Sequence, residues 1–382
     1  MRIFFVTNNY TPYSGGLVSA IDAVSNALRV EQHEVFIITL DFKPQATDPA
    51  YVIRIPCPIR FMYKKNYMAI PWRPTHAIKE LIEQYKPDII HVQHPFLLGV
   101  SALHAARAYN IPCVFTYHTM YEDYAHYVPL LKNCAKPLIR AIVKRFCNAV
   151  DIIIAPSSAI KKYLCEQNIK TPITIIPSPL RSLFLNDNPP KTVVSIKQSF
   201  NLLLVSRFVP EKNIPFVFDV FKQLPENYTL TLVGYGSEYE AMQILAFNTL
   251  KLSPQRVHFI HKPPQDKLLS LYQNADLFIF PSQTDTQGLV LAESMSQGVP
   301  VVALDGPGQR DIIINGYNGF IIDNAAQAAE TIINIANNPE LYNKLKSGAY
   351  QTAQKYTANA IIQQLIDVYQ ALLAKKNNKL TH

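Results

Sequence analysis

The residues whose types and spacing carry the most chemistry lie in the second half of the chain. In PSQTDTQGLVLAESMSQGVPVVALDGPG, Asp285 and Glu293 stand eight positions apart, and Gly288, Leu289 and Val290 between them open a predicted helix. The amides of a helix start hold phosphate, with one acid placed before it and the other on its second turn. That spacing lets one carboxylate meet a sugar and the other a ribose; as acids alone, the two equally cap a surface helix. Upstream, Arg207 directly follows the strand-like run NLLLVS and Lys212 comes five residues later. Two cations at a strand's carboxyl end suit a diphosphate. Gly234 and Gly236 in LVGYGSE repeat the strand–glycine–helix device as a weaker signal. In the first half, Gly15 and Gly16 lead into a helix and let backbone N–H groups approach a ligand, or form a simple turn. No G-x-G-x-x-G occurs, so a dinucleotide fingerprint is absent. His118 ends the run CVFTYH, where an imidazole can bind a sugar hydroxyl or move a proton. Tyr121, Glu122, Asp123 and Tyr124 follow it, a mixture suited to hydroxyl-rich or glycerol-like ligands. His91 and His94 are three apart with no third metal ligand near in sequence, and they read as structural.

These residues need elements to position them. Short continuous apolar runs alternate with helical patterns throughout: RIFFVT, EVFIITL, DIIHV, CVFTYH, DIIIA and ITII, then NLLLVS, YTLTLVG, RVHFI, ADLFIF, VPVVAL and GFIID. Continuous rather than alternating apolar strands indicate parallel sheets buried on both faces. Two such series predict an α/β protein of two doubly wound domains, with ligands beyond the strands' carboxyl ends. The 382 residues, 48% of them hydrophobic and 17% charged, supply two sizeable cores and exclude global disorder. The first domain is expected over 1–180, a proline-bearing linker over 181–199 and the second domain over 200–356. Helices follow at 324–337, 340–354 and 357–376, the last lying outside the strand alternation.

Charge is uneven. Residues 1–190 carry a net +7 and residues 191–382 a net +1, so the first half is the candidate for an anionic partner. No acid occurs from 124 to 150, where KNCAKPLIRAIVKRFC spaces Lys132, Lys136, Arg140 and Lys144 every four residues, with Arg145 beside them. Leu138, Ile139, Ile142, Val143 and Phe146 form its apolar stripe, the pattern of a helix on an anionic bilayer. A second acid-free stretch, 55–74, mixes Arg60, Lys64, Lys65 and Arg73 with Phe61, Met62, Tyr63, Tyr67 and the single Trp72, and reads as a second contact segment or a solvated loop. No nucleic-acid motif accompanies the charge. The first apolar run, Ile3 to Val6, is too short for a signal-peptide core, and no stretch approaches the length of a spanning helix. Five cysteines without a C-x-x-C argue for a reducing compartment.

Taken together, the chain resembles the retaining GT-B glycosyltransferases from Met1 to about residue 375. The family's acid-x7-Glu element matches at Asp285 and Glu293, its Arg/Lys phosphate pair at Arg207 and Lys212, its glycine-rich first loop at Gly15 and Gly16, and its active-site histidine at His118. TYHTMYEDYAHYV and SQTDTQGLVLAESMSQGVPVVA are similar to the glycolipid-forming branch, the diacylglycerol α-glucosyltransferases. Two positions depart: Asp285 stands where the family usually has Glu, and Ser178-Pro179 replaces its usual Asn-Gly turn.

The resemblance implies two Rossmann-like domains with a cleft between them, and the last helix packing back on the first. It implies a nucleotide-sugar hexosyltransferase, with UDP-glucose as donor and a lipid hydroxyl such as that of diacylglycerol as acceptor. Arg207, Lys212, Gly234 and the amides at Gly288, Leu289 and Val290 would hold the donor, Glu293 the ribose, and Asp285 and His118 the sugar. No D-x-D pair occurs in the chain, so neither a metal nor a cofactor is expected. The acceptor and membrane side would use Tyr121, Glu122, Asp123, Tyr124, Lys136, Arg140, Lys144 and Arg145, placing the protein at the inner, cytoplasmic face of a membrane. Competing readings are a transferase of the same fold with a soluble or polysaccharide acceptor, a nucleotide-sugar epimerase, and a catalytically silent binding protein.

Overall fold

A computed structural model describes residues 1–11, 16–42, 48–63, 66–121, 135–185, 189–192, 195 and 197–380. The chain divides into two compact units, Met1–Pro179 with Ala358–His382, and Leu180–Thr357.

In the first unit the order is β1 (Arg2–Val6), α1 (Gly16–Val30), β2 (Glu34–Leu40), β3 (Val52–Ile55), a hairpin of β4 (Ile59–Tyr63) and β5 (Asn66–Ile70), α2 (Pro74–Tyr85), β6 (Ile89–Val92), α3 (Leu98–Ala108), β7 (Cys113–Thr116), α4 (Ala135–Cys147), β8 (Ile152–Ala155), α5 (Ser158–Glu166) and β9 (Ile173–Ile175). Seven strands form one parallel sheet in the order β3-β2-β1-β6-β7-β8-β9, and β4 pairs antiparallel with β5 alone. The continuous apolar runs become strands covered on both faces: Ile3, Phe4, Phe5 and Val6 are all buried, as are all four residues of β6 and of β7. The C-terminal helix Ala358–Leu380 belongs to this unit and buries Ile361, Ile362, Leu365, Ile366 and Tyr369.

The second unit runs β10 (Phe200–Arg207), α6 (Ile214–Phe221), β11 (Tyr228–Tyr235), α7 (Tyr239–Ile244), β12 (Val257–His261), α8 (Gln265–Gln273), β13 (Leu277–Phe280), α9 (Leu289–Ser296), β14 (Val301–Leu304), α10 (Gln309–Ile312), β15 (Gly319–Ile322), α11 (Ala325–Asn337) and α12 (Pro339–Gln354). Its six strands are parallel in the order β12-β11-β10-β13-β14-β15. Part of the stretch read as linker is integral to this unit. Leu180 and Phe184 are buried in its core with Tyr272, Phe278 and Leu291, the former from the end of the expected first domain, so the chain enters the unit at Leu180.

Both sheets reverse their strand order once, between β1 and β6 and between β10 and β13. At such a reversal the two flanking connections leave on opposite faces and open a crevice at the strands' carboxyl ends, where doubly wound sheets bind ligands.

Candidate functional site

The reversal in the second unit assembles Arg207, Lys212 and Asp285. Arg207 is the last residue of β10, and a 3-10 turn over Pro210–Lys212 carries Lys212. The Lys212 ammonium donates to both Asp285 carboxylate oxygens, at 2.6 and 2.7 Å, although the residues are 73 positions apart. Arg207 lies 3.7 Å from Glu211 and contributes to the field at Asp285. Burial pushes the Asp285 carboxyl up, but Lys212, a hydrogen bond from Ser282 and Arg207 outweigh it, holding the carboxyl below its ordinary range. Asp285 is thus a carboxylate at neutral pH.

The loop bearing Asp285 is pinned by two residues that the sequence reading did not single out. Gly308 N–H donates to Asp285 O at 2.9 Å, and any side chain at Gly308 would collide with the Gln287 backbone, 2.6 Å from an added Cβ. The buried Gln309 amide donates to Ser282 O and, at 3.1 Å, to Leu304 O, tying the exits of β13 and β14 together. The signal in the sequence was the D-G-P-G-Q turn after VPVVAL.

Gly288 adopts a left-handed conformation, φ 68°, immediately before α9, and no side chain caps that helix. A helix start of this kind, with first-turn N–H groups at Leu289 and Val290, favours an anion. Glu293, on the second turn, is buried. Its Oε1 accepts from Arg181 Nη2 at 2.9 Å and its Oε2 from the Tyr272 hydroxyl at 3.0 Å. Burial raises its pKa against the pull of Arg181. Both oxygens already have protein partners, so Glu293 has only second lone pairs for a ribose. Arg181 was read as linker, and its 112-residue separation from Glu293 hides the pair from any spacing rule.

Gly234 has a packing reason to be glycine. At φ 154° its added Cβ would lie 1.8 Å from Ser206 O, so β11 reaches the end of β10 only without a side chain; Gly236 stands likewise 2.2 Å from Phe208 O.

In the first unit, His118 follows β7. Its Nε2 lies 2.6 Å from Gln93 Oε1, and the Gln93 amide nitrogen donates to His91 O at 3.5 Å. An amide oxygen only accepts, so His118 carries its proton on Nε2. Burial, with His94 nearby, lowers its pKa to about 3, so the imidazole is neutral. The HVQH histidines are structural: His91 bridges the Tyr369 hydroxyl and Thr116 Oγ1, each at 2.6 Å, and His94 Nδ1 accepts from Asn8 N–H at 3.2 Å. Gln93, unmarked in the sequence reading, is what orients His118.

The acceptor-side expectations fare unevenly. Tyr121 is buried, its ring edge-on against Phe96 and Tyr117 at centroid distances of 5.5 and 5.3 Å, and it lines a small pocket with Arg140 and Lys144. Glu122, Asp123, Tyr124, Lys132 and Gly15 lie outside the described residues. Gly16 opens α1 with nothing within 4 Å of an added Cβ. On α4 the apolar residues divide, with Val143 and Phe146 entering the core while Leu138 and Ile142 are exposed. Lys136, Arg140 and Arg145 are exposed beside them, whereas Lys144 is half-buried. No described helix is long and apolar enough to cross a membrane.

With this geometry in view, comparison with known proteins is decisive. The model for Glycosyltransferase Family 4 matches residues 14–180, and that for Glycosyl transferases group 1 matches residues 190–352. Over 84% of its length, and 75% of the relative's, the chain is 30% identical to alpha-monoglucosyldiacylglycerol synthase of Streptococcus pneumoniae. The chain belongs to the GT-B glycosyltransferases. The glycosyltransferase is also 25% identical to the synthase of the same name from Acholeplasma laidlawii, across 100% of this chain and 99% of that one. Its fold is that of sucrose-phosphate synthase from Thermosynechococcus elongatus (TM-score 0.81, 21% identity, 98% and 99% of the two chains). It is likewise that of Anabaena HepE solved with UDP (TM-score 0.76, 18% identity, 97% and 100%).

Proposed function

We propose that this glycosyltransferase moves a hexose, glucose from UDP-glucose, with retention of configuration onto a lipid hydroxyl such as that of diacylglycerol, forming an α-glycosyl glycolipid at the cytoplasmic face of a membrane. The observation that carries the reading is the Lys212–Asp285 pair beside Arg207 at the strand-order reversal of the second sheet. Support for lipid and glucose comes from the names of the Streptococcus and Acholeplasma relatives.

In this reading Arg207, Lys212 and the amides at Gly288, Leu289 and Val290 hold the diphosphate. Negative charge grows on the leaving phosphate as the glycosidic C–O bond breaks, and groups fixed there beforehand stabilise it most in the transition state, at about 3 kcal/mol each. No metal is assigned to that task. Asp285 orients sugar hydroxyls, and neutral His118, its tautomer set by Gln93, meets a sugar hydroxyl. Glu293 reaches the ribose with lone pairs that Arg181 and Tyr272 leave over. The outward face of α4, with Lys136, Arg140 and Arg145 around Leu138 and Ile142, meets anionic lipid.

Incubation with radiolabelled UDP-glucose and diacylglycerol vesicles, followed by chromatography of the organic phase and NMR of the anomeric coupling, tests this. An α-glucosyl lipid is expected. Label released only as free or epimerised sugar, or a β product, overturns it.

A further inference from the structure

The β4–β5 hairpin is built inside out. In its register Ile59 faces Ile70 and Phe61 faces Met68 across the two strands. Alternate residues share a face, so these four form one side of the ribbon. They are 54%, 46%, 47% and 43% exposed, and Trp72 just beyond is 71% exposed. A polar side would be expected outward; an apolar one marks an interaction surface. The reverse side is tied to the unit at its base, while Met62 near its tip is 66% exposed. Ala69 is 5% exposed within the core, Arg60 pairs with Asp41 and donates to Cys57 O at 2.9 Å, and Trp72 N–H donates to Pro56 O at 3.3 Å. An isolated two-stranded ribbon is marginal in water. These ties hold its apolar side outward.

We infer that this face is a wedge that enters the headgroup–acyl boundary of an anionic bilayer, a second and separate contact that rests on the membrane reading above. Charge selects the occupant. Residues 55–74 contain no acid, and Lys64, Lys65 and Arg73 accompany the patch in sequence. An apolar surface with a Trp, in an acid-free stretch that carries the exposed Arg73, matches an anionic interface in both its parts. A second copy of this chain fits poorly, because a two-fold contact sets the same cations against themselves. A handful of side chains also falls far short of the roughly 20–30 residues a side that a stable protein interface uses.

Trp72 is the only tryptophan of the chain, so its fluorescence reports this face alone. The full chain is mixed with vesicles of one part phosphatidylglycerol to two parts phosphatidylcholine. The emission shifts to the blue, and phosphatidylcholine brominated on its acyl chains quenches it. Phe61→Ser with Met68→Ser lowers vesicle partitioning by about tenfold or more while UDP binding and thermal unfolding stay at wild-type values. Vesicle binding without change in Trp72 emission overturns the wedge, as does a lipid-free dimer that the double variant dissolves. If the wedge inserts as described but no glycolipid forms from any nucleotide sugar, the transfer reading fails and the wedge stands.

Discussion

Replacing Lys212 by Met isolates the contribution of the charge at the centre of the second unit. Lys212 is 12% exposed and Asp285 23% exposed, and the ammonium reaches both carboxylate oxygens. Orphaning one member of a fully buried pair costs about 3–5 kcal/mol. Asp285 keeps the Ser282 hydrogen bond and part of its hydration, so about 2 kcal/mol is expected at pH 7. The pH dependence fixes the cause. In the native protein the Asp285 pKa is depressed, so its stabilisation is present above its unfolded value and lost as pH falls through the folded one. Without Lys212 the burial remains and the folded pKa rises, so the variant's deficit is full well above that raised pKa and shrinks as pH falls, first through the variant's raised folded pKa and then through the wild type's depressed one. Turnover falls by about a hundredfold if the ammonium also meets the leaving phosphate. Urea unfolding at pH 7 and pH 3 reads the first quantity, and kcat/KM for donor consumption the second. A deficit of equal size at both pH values rules out the ion pair as its source, and kcat/KM within twofold of wild type removes Lys212 from the diphosphate site.

Gly234→Ala places a Cβ 1.8 Å from Ser206 O at a positive φ, and should destabilise by more than about 3 kcal/mol or block folding. Gly16→Ala meets nothing within 4 Å, so it should fold normally yet lose donor affinity if α1 begins at the ligand; full affinity by calorimetry withdraws Gly16 from the site. His91 is buried neutral with its pKa lowered to about 3, so its stabilisation is complete above its unfolded value and declines as pH falls from about 6.5 toward 3. Between pH 6.5 and 5 its own share of the loss is about 2 kcal/mol, and His91→Gln should remove that share in equilibrium unfolding while His94 and His118 keep theirs; an unchanged slope assigns it elsewhere.

The fold was legible where strands bury both faces: NLLLVS lies within β10 and VPVVAL contains β14 because a parallel strand under helices tolerates few polar residues. β3 was missed because VIRI holds Arg54, whose guanidinium pairs with Asp48 and so does not break the strand. The hairpin was missed because IRFMY and NYMAI lack the alternation that a ribbon with one solvated side shows; its outward side is apolar. In the candidate site, residue types were visible and partnerships were not. Lys212 and Arg207 were read as a matched pair of cations, yet Lys212 is bound to a carboxylate 73 positions away. The burial of Tyr121 was hidden because a polar string, YHTMYEDY, gives no hint that one of its rings enters the core.

The pairing of Lys212 with Asp285 gives the shorter acid a consequence that can be measured. With no ligand, the positive charges of Arg207 and Lys212 face the carboxylates of Glu211 and Asp285, so the cations are already balanced. In the proposed reading, a diphosphate arriving there competes with Asp285 for the same ammonium. Binding the nucleotide alone therefore costs part of the Lys212–Asp285 interaction, whereas a nucleotide sugar returns a hydroxyl for the loosened carboxylate to accept. Asp285→Asn separates the two effects: it keeps the side chain's shape and releases the ammonium. UDP should then bind several-fold more tightly, while kcat with the sugar donor falls, because the neutral amide is a weaker acceptor and its nitrogen can only donate. Calorimetry with UDP and steady-state kinetics with the donor read the two sides. Weaker UDP binding in the variant means that Asp285 supports the nucleotide rather than competing with it, and Lys212 then serves the carboxylate before it serves any phosphate.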